Sequence, residues 1–244
     1  MKTFILTSSR KENNMSNYFK ADLFKIYKEH RLFLSLGILL TLSILSAFLL
    51  RGNEGYTSSV IQLLSQFITL FFIVPANLYF GEDFSNRTIN NIIIKQPNRN
   101  QVFIYKALST IFLNIVYVLI AYISSLLVGT LLSETVDFHL ALTILTNQIP
   151  LFLCITFLCI LLFVTLRKIP QAYLIYSLIC LLFDNLSHLI SSNLLHLNLP
   201  SDVFLFQSLQ NAESISVLTF ILSTVSLILY CFLSYFIFSR KEFK

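Results

Sequence analysis

Long apolar segments alternate along this chain with shorter polar stretches. Each segment is close to 20 residues long or longer, and only the fifth contains a formally charged residue. Because a helix rises about 1.5 Å per residue, roughly 20 apolar residues cross a hydrocarbon core of about 30 Å. The pattern therefore predicts an all-α membrane protein with six transmembrane helices. They are Leu32 to Leu50, Val60 to Phe80, Ala107 to Leu132, Leu140 to Leu166, Ala172 to Ile190 and Ser216 to Phe238.

The basic residues lie in alternate polar stretches. In chain order, the seven stretches hold seven, one, four, none, two, none and three Lys and Arg residues. Cytoplasmic connections of membrane proteins carry an excess of Lys and Arg, so the first, third, fifth and seventh stretches are predicted to be cytoplasmic. Both termini are therefore expected in the cytoplasm, which requires an even number of crossings.

Composition excludes an ordinary soluble domain. The 244 residues are 56% hydrophobic and 12% charged, whereas charge in soluble domains is nearer a quarter of the residues. The net charge of +5 comes from residues beside segment ends, where they meet anionic lipid headgroups, so nucleic acid is not an expected partner. We treat residues 17–244 as one six-span domain and residues 1–16 as a flexible extension, with Met1 or Met15 as the start.

The stretch 17–31 before the first span has the spacing of an amphipathic helix. Its apolar side chains recur every three to four positions, and Lys and Arg occupy the remaining faces. Such a helix lies in the headgroup region with its basic side chains near anionic lipid. It is either a plain membrane anchor or a contact for a cytoplasmic partner. The residues concerned are Phe19, Lys20, Leu23, Lys25, Tyr27 and Lys28.

The connection 81–106 follows the second span on the predicted cytoplasmic side. It combines two acidic and four basic residues around the stretch 88–94, which is too short to cross a membrane. This stretch is predicted to form a brief helix that Pro97 ends.

These features resemble the permease subunits of type-2 ATP-binding-cassette (ABC) exporters. The resemblance rests on the basic amphipathic helix before a first of six spans and on Phe80-Gly81-Glu82-Asp83 followed by Thr88, Pro97, Arg99 and Lys106. In that family the loop holds an acidic residue, then commonly Gly-Thr, a short helix and a Pro-x-Arg turn. Here Arg87 stands where Gly is usual, and the Pro spacing differs by about one residue.

The resemblance implies that the loop is a coupling helix that touches a cytoplasmic ATPase and passes its closure to the spans. Since the chain has five glycines and no P-loop, ATP and Mg²⁺ are expected on that separate ATPase, and no cofactor or metal on this chain. Two ATPase copies and a second permease, identical or homologous, are implied as partners. An ordinary solvated loop is the alternative. The coupling role is carried over to Glu82, Asp83, Arg87, Thr88, Pro97 and Arg99.

Asp184 is the one acidic residue inside a predicted span, and His188 follows one helical turn later. A charge within the membrane is costly unless it is paired or hydrated, so Asp184 is a candidate functional residue. It lies about 18 Å along its span, in the outer half of the bilayer. We interpret Asp184 and His188 as a structural pair near the outer mouth and outer gate, or as a substrate contact or a proton-sensitive pair. The resemblance implies short re-entrant helices in the outer loop 190–215.

Other polar side chains within the predicted spans are expected to bond between helices rather than to bind substrate. Pro75 and Pro150 are expected to kink the second and fourth spans. The four cysteines lie within spans without a paired motif, so they predict neither disulfides nor a zinc site. The polar side chains are Gln62, Gln66, Asn77, Asn114, Asn147 and Gln148.

The expected function is the permease subunit of an ATP-driven exporter in a bacterial cell membrane, and not an enzyme. Compact members of the family often export, or give immunity to, amphipathic and antimicrobial peptides, so the resemblance implies such peptides or similar hydrophobic molecules. No Gly-x-Ser-x-Gly or His-Glu-x-x-His run supports an intramembrane enzyme. An ATP-independent secondary transporter or a membrane sensor subunit is the alternative, although the chain shows neither an internal repeat nor several intramembrane ionisable groups.

Overall fold

A computed structural model describes residues 26–28, 30–85, 99–166, 168–184, 189, 205–210 and 216–240. Several predictions fall outside these residues. They are the extension 1–16, the outer loop 190–215 except for residues 205–210, and the residues Phe19, Lys20, Leu23, Lys25, Arg87, Thr88, Pro97 and His188. Of the predicted interfacial helix, the structure describes 26–28 and 30–31 as helical, with Tyr27 and Lys28 exposed.

All regular structure among the described residues is helical. Two π-helical turns, Asn77–Gly81 and Ile179–Phe183, follow α3 and α7 respectively. The helices are α1 (His30–Leu49), α2 (Tyr56–Phe71), α3 (Ile73–Ala76), α4 (Glu82–Ser85), α5 (Arg99–Leu131), α6 (Phe138–Thr165), α7 (Ile169–Leu178), α8 (Leu205–Gln210) and α9 (Val217–Arg240).

Within the described ranges, five helical segments are long and apolar enough to cross a membrane. They are α1, the run Tyr56–Ser85 from α2 to α4, α5, α6 and α9, and they coincide with five of the six predicted spans. The predicted all-helical character is thereby confirmed, and the five long apolar helices support the predicted multi-pass character. The remaining predicted span begins as the shorter apolar helix Ile169–Leu182, and most of its outer part lies beyond the described residues. A sixth crossing therefore stays a prediction at this point.

Contacts divide the chain into two units, Met1–Gly37 and Ile38–Lys244, with the boundary inside α1. In the first unit, the hydroxyl of Ser35 donates a hydrogen bond to the carbonyl of Leu32 at 2.8 Å, an ordinary intrahelical arrangement. The second unit contains all the other long helices, and the packing described below belongs to it.

Helix α6 lies at the centre of the second unit. It packs against α2, α5, α7 and, most extensively, α9. Its sequence is apolar around the whole circumference, which is typical of a helix surrounded by others. By contrast, α5 has an outward face of large apolar side chains every three to four residues, as expected of a helix that touches lipid on one side. The outward side chains include Leu108, Phe112, Ile115, Leu119 and Ile123.

Two glycines allow helices to approach closely. A Cβ atom built on Gly81 would lie 2.8 Å from a ring carbon of Phe163, and one on Gly129 would lie 2.7 Å from the hydroxyl oxygen of Tyr56. Real Cβ atoms do not approach other atoms so closely, so both positions depend on glycine. Small residues at interfaces are the usual means by which membrane helices pack, because lipid supplies no hydrophobic driving force between them.

The second span is irregular around Pro75. Helix α2 ends at Phe71, four residues before this proline, and a π-helical turn begins at Asn77. Proline cannot donate a hydrogen bond to the carbonyl four residues earlier, and its ring collides with that carbonyl, so an α-helix is interrupted there. The helix type thus changes on both sides of Pro75, whereas Pro150 lies inside α6, which continues through it. The kinks expected at the two prolines stay predictions.

The helices extend into the predicted coupling connection from both sides. Glu82 and Asp83 begin α4, and Arg99 and Lys106 lie in the first turns of α5. Asp83 and Lys106 form a buried ion pair with each other. Only residues 86–98 separate α4 from α5.

The two ends of the bundle differ in chemistry. At the basic end, defined by Asp83, Arg99, Lys106 and Arg240, a guanidinium nitrogen of Arg99 donates to the carbonyl of Ser239 at 2.9 Å. At the opposite loop end, which holds the connections 50–55 and 132–137, the backbone N–H of Gly52 donates to Glu134 at 3.0 Å. The N–H of Asp137 also donates to the hydroxyl of Thr57 at 3.0 Å.

Candidate functional site

The short helix α8 packs against α2, α6 and α9. Its six residues are far fewer than a membrane crossing needs. A helix this short leaves most of its terminal N–H and C=O groups without partners inside the helix. Side chains from three other parts of the chain bond to those groups and thereby hold α8 in place.

Asp184 bonds to the beginning of α8. One carboxylate oxygen, Oδ2, accepts a hydrogen bond from the backbone N–H of Gln207 at 2.8 Å. Phe206 contributes a second backbone interaction with the same carboxylate. A negative side chain at the first turn of a helix satisfies its orphan N–H groups and complements the positive end of the helix dipole.

Two side chains bond to the end of α8. The carbonyl of Leu209 accepts hydrogen bonds from the hydroxyl of Ser65 at 3.3 Å and from the amide nitrogen of Gln148 at 3.2 Å. The amide oxygen of Gln148 in turn accepts from the hydroxyl of Tyr122 at 2.6 Å. Ser65 and Gln148 are completely buried, so these bonds replace contacts with water that the burial removes.

The positions of Ser65, Gln148 and Tyr122 along their helices give the depth of α8 in the bundle. Ser65 lies nine residues after the start of α2, Gln148 ten residues after the start of α6, and Tyr122 nine residues before the end of α5. All three helix ends are at the loop end. At the rise of an α-helix these separations place the carbonyl of Leu209 about 14 Å inside the loop end.

A cavity of about 200 Å³ lies between α2, α8 and the π-helical turn after α7. Asp184 borders it, and the second carboxylate oxygen, Oδ1, is buried with no hydrogen-bond partner among the described residues. Beside the cavity, the hydroxyl of Tyr176 donates to the backbone carbonyl of Thr69, which joins α7 to α2. The cavity is lined by Gln66, Phe67, Thr69, Leu70, Cys180, Leu181, Asp184, Phe206 and Gln207.

The chemistry of this cavity is mixed. The Asp184 carboxylate, two amide side chains and the Thr69 hydroxyl supply hydrogen-bond acceptors, while Phe67, Leu70, Leu181 and Phe206 supply apolar surface. The predicted partner of Asp184, His188, lies outside the described residues. Whether these two residues pair therefore stays a prediction, and so does the outer gate or pathway role of both.

A second, larger cleft of about 320 Å³ lies between α5 and α6, and almost all of its lining is apolar. Asn114 on α5 donates from its amide to the hydroxyl of Thr156 on α6 at 2.9 Å. The prediction that intramembrane amides bond between helices is confirmed for Asn114 and Gln148.

The predicted coupling residues lie in different settings at the basic end. Asp83 is 9% exposed and pairs with Lys106, which is 4% exposed and also donates to the carbonyl of Tyr79 at 2.9 Å. Glu82 is half-buried in α4, and Arg99 bonds to the end of α9. Contact of these residues with an ATPase stays a prediction.

Reasoning from the sequence missed Ser65, Tyr122 and the pairing of Lys106 with Asp83. Serine and tyrosine are common in membrane helices, and nothing in their spacing distinguishes these two from the others. A lysine at the end of a span, such as Lys106, is usually interpreted as a charge that orients the span. The sequence therefore carries no signal for its burial against Asp83 either.

Among the described residues, no group of three or more His, Cys, Asp or Glu side chains could hold a metal ion. Neither the family models nor the curated proteins compared with this chain gave a match.

Proposed function

We propose that this chain is the membrane-spanning permease subunit of an ATP-driven exporter of the type-2 ABC class. A separate ATPase in two copies hydrolyses ATP, and a second permease, identical or homologous, completes the pathway. The substrates are amphipathic or antimicrobial peptides, or similar hydrophobic molecules. The observation that carries the proposal is the position of α8, between the fifth apolar segment and the last span and about halfway into the bundle.

The depth of α8 supports a re-entrant outer loop. About 14 Å is close to half of a hydrocarbon core of about 30 Å. Backbone that does not span is tolerated at such depth only where protein groups or a water-filled cavity satisfy it. Asp184, Ser65 and Gln148 bond to α8 in this way, and the cavity lies beside it. Short re-entrant helices between the fifth and sixth spans are what the resemblance implies.

The packing of the long helices supports six crossings. Helix α6 begins at the loop end. Its 28 residues extend about 42 Å, so the helix ends at the basic end. Helix α9 is 24 residues long and ends beside Arg99 at the basic end, so it begins near the loop end. The chain between Lys168 and Val217 must therefore return from the basic end to the loop end. With the basic end in the cytoplasm of a bacterial cell, both termini are cytoplasmic.

The basic end is suited to receive a movement from a cytoplasmic ATPase. The ion pair between Asp83 and Lys106 joins both helices that flank the connection 86–98. Three side chains on the buried face of α5 continue the connection. Lys106 bonds to α4, and Asn114 bonds to α6. Tyr122 bonds to the Gln148 side chain that holds α8. A shift of the connection would move α5, and with it the support of α8.

Purification of the tagged full chain from its membrane in mild detergent, followed by mass spectrometry and an ATPase assay, tests the proposal. A P-loop ATPase is expected to co-purify and to turn over nucleotide. Glu82→Lys, at the basic end, should reduce its recovery, whereas Glu54→Lys, the same charge change at the loop end, should not. Absence of an ATPase while other membrane complexes stay intact would instead favour an ATP-independent transporter or a sensor subunit.

A further inference from the structure

We infer that the cleft between α5 and α6 is a binding site for one acyl chain of a membrane lipid. Its volume of about 320 Å³ is at the lower end of the 300 to 1,000 Å³ that is typical of ligand sites. An empty volume of this size would deprive the surrounding side chains of dispersion contacts, and folded proteins contain few such voids. The lining of the cleft, its opening and its length indicate what fills it.

Two rows of apolar side chains border the mouth of the cleft. In each row the residues are four positions apart, so they lie along one face of their helix. They are half-buried or exposed, whereas the other lining residues, Phe72 of the second span among them, are buried. The cleft is therefore a groove that runs along both helices and is closed at the back by the second span. The rows are Ile111, Ile115 and Leu119 on α5, and Leu145, Ile149 and Leu153 on α6.

The polar residues of the lining bond to each other and to the backbone. The amide of Asn114 donates to the hydroxyl of Thr156 at 2.9 Å, and that hydroxyl donates to the carbonyl of Phe152 at 2.8 Å. Asn114 is 2% exposed and Thr156 is 1% exposed. Buried water needs two to four polar partners, and cavities lined by apolar groups stay dry. The occupant that suits this cleft is therefore apolar.

The cleft opens on the surface of α5 that is expected to face lipid. Ile115 and Leu119 belong both to that outward surface and to the mouth of the cleft, and they are 49% and 38% exposed. On the other side of the mouth, Ile149 of α6 is 47% exposed. Because the mouth is continuous with a lipid-facing surface, acyl chains are the apolar groups that reach it most readily.

The length and direction of the cleft match an acyl chain. Thr156 follows Leu145 by 11 positions on α6, so the lining extends about 16 Å along that helix. A hydrocarbon core of about 30 Å consists of two layers of acyl chains, so one chain spans about 15 Å. Membrane-spanning helices are tilted by about 20° on average, so a groove along them runs nearly parallel to the acyl chains.

This inference goes beyond the proposed function. It rests on the placement of α5 and α6 in a membrane and not on ATP-driven export. A lipid chain in the cleft takes the place of side chains between the two helices, so the contact of α5 with α6 includes lipid. The experiment below uses neither ATPase nor nucleotide, so a failure to recover an ATPase and a failure of this site are separate results.

The chain contains no tryptophan, so a single introduced tryptophan reports on its own surroundings. Phe152→Trp places the reporter at the buried side of the cleft, where Phe152 is 7% exposed and its ring centroid lies 5.5 Å from that of Phe72. The full chain is placed in phosphatidylcholine nanodiscs whose acyl chains carry bromine, which quenches tryptophan fluorescence at short range. A series of lipids with bromine at successive positions along the chain covers the depths of the bilayer, and the unbrominated lipid is the reference.

Two further variants calibrate the quenching. Phe112→Trp lies on the lipid-facing side of α5, where Phe112 is 65% exposed. Phe157→Trp lies on α6, where Phe157 is 9% exposed and is not part of the cleft lining. At the bromine position that quenches each variant most, we expect the quenching of Phe152→Trp to be at least about half that of Phe112→Trp. It should be about twofold or more that of Phe157→Trp.

A second substitution tests whether the cleft itself admits the chain. Val118→Phe, which narrows the cleft, should reduce the quenching of Phe152→Trp by about half, whereas Val116→Phe, on the same helix outside the lining, should not. Quenching of Phe152→Trp no greater than that of Phe157→Trp would overturn the inference in favour of a cleft that is closed or occupied by protein. Unchanged quenching with Val118→Phe would overturn it as well. If Val118→Phe does not fold, the comparison of the three tryptophan variants decides alone.

Discussion

At the scale of single residues, the buried pair of Lys106 and Asp83 bears directly on stability. Both side chains are almost fully buried, and Lys106 also bonds to the carbonyl of Tyr79. A buried ion pair gains little over an apolar pair of the same shape, because removing two charges from water is costly. Breaking it from one side is different, since one charge then stays buried without a partner.

We therefore expect Lys106→Met to destabilise the protein by about 3–5 kcal/mol. Lys106→Met combined with Asp83→Asn should recover much of that loss, since neither side chain then carries a charge. Thermal and denaturant unfolding of the purified full chain measure both. Lys168→Met, at an exposed position of the same end, is the control and should be nearly neutral. A double variant as unstable as the single one would contradict the ion-pair explanation.

Replacing either of two glycines by alanine is expected to have opposite effects on stability. Gly81→Ala places a Cβ against the ring of Phe163 and the side chain of Asn77, so neighbouring atoms must shift. Overpacking of this kind costs about 1–3 kcal/mol. Gly37→Ala meets no atom within 4 Å, and alanine is the better helix former by about 1 kcal/mol, so it should be neutral or stabilising. The same unfolding measurements decide, and equal losses at both positions would exclude the packing explanation.

At the scale of elements, α8 depends on bonds to other helices rather than on its own length. Six residues are too few for a stable isolated helix. The side chains that satisfy its ends come from α2, α6 and the segment after α7. Its order should therefore respond to substitutions far from it in the chain.

Gln148→Leu keeps the volume of the side chain but removes both its bond to Leu209 and its bond to Tyr122. Each lost bond costs about 1 kcal/mol, so the loss of both should raise local opening of α8 about thirtyfold. Hydrogen–deuterium exchange at residues 205–210 measures this opening. Thr146→Val, which removes a hydroxyl from an exposed position of the same helix, should leave exchange unchanged. Equal exchange in both variants would mean that Gln148 does not hold α8.

At the scale of the whole molecule, the parity of crossings decides the topology. Glu54 and Glu134 lie at the loop end, whereas Lys168 and Arg240 lie at the basic end. With six crossings and a cytoplasmic basic end, single cysteines at Glu54 and Glu134 should react with an impermeant thiol reagent added outside intact cells. Cysteines at Lys168 and Arg240 should react only after permeabilisation. Labelling of both the Glu54 and the Arg240 positions from outside would mean an odd number of crossings.

The sequence by itself determined the all-helical class, five helices long and apolar enough to cross a membrane, and the place of the irregularity around Pro75. These depend on local hydropathy, length and backbone chemistry, which do not require knowledge of neighbouring helices. Asp184 indicates the irregularity around the fifth segment, because a charged residue in an apolar segment can be recognised from the sequence.

Only the tertiary structure decided which polar groups meet. Leu209 and Gln148 are 61 positions apart, Ser65 and Leu209 are 144 apart, and Asp83 and Lys106 are 23 apart. Such pairings follow from how helices are rotated and packed against one another, and in lipid that packing depends on shape and on small residues such as Gly81. For that reason the sequence marks Asp184 as a candidate, while the cavity beside it and the hydrogen bond from its carboxylate to α8 are known only from the fold.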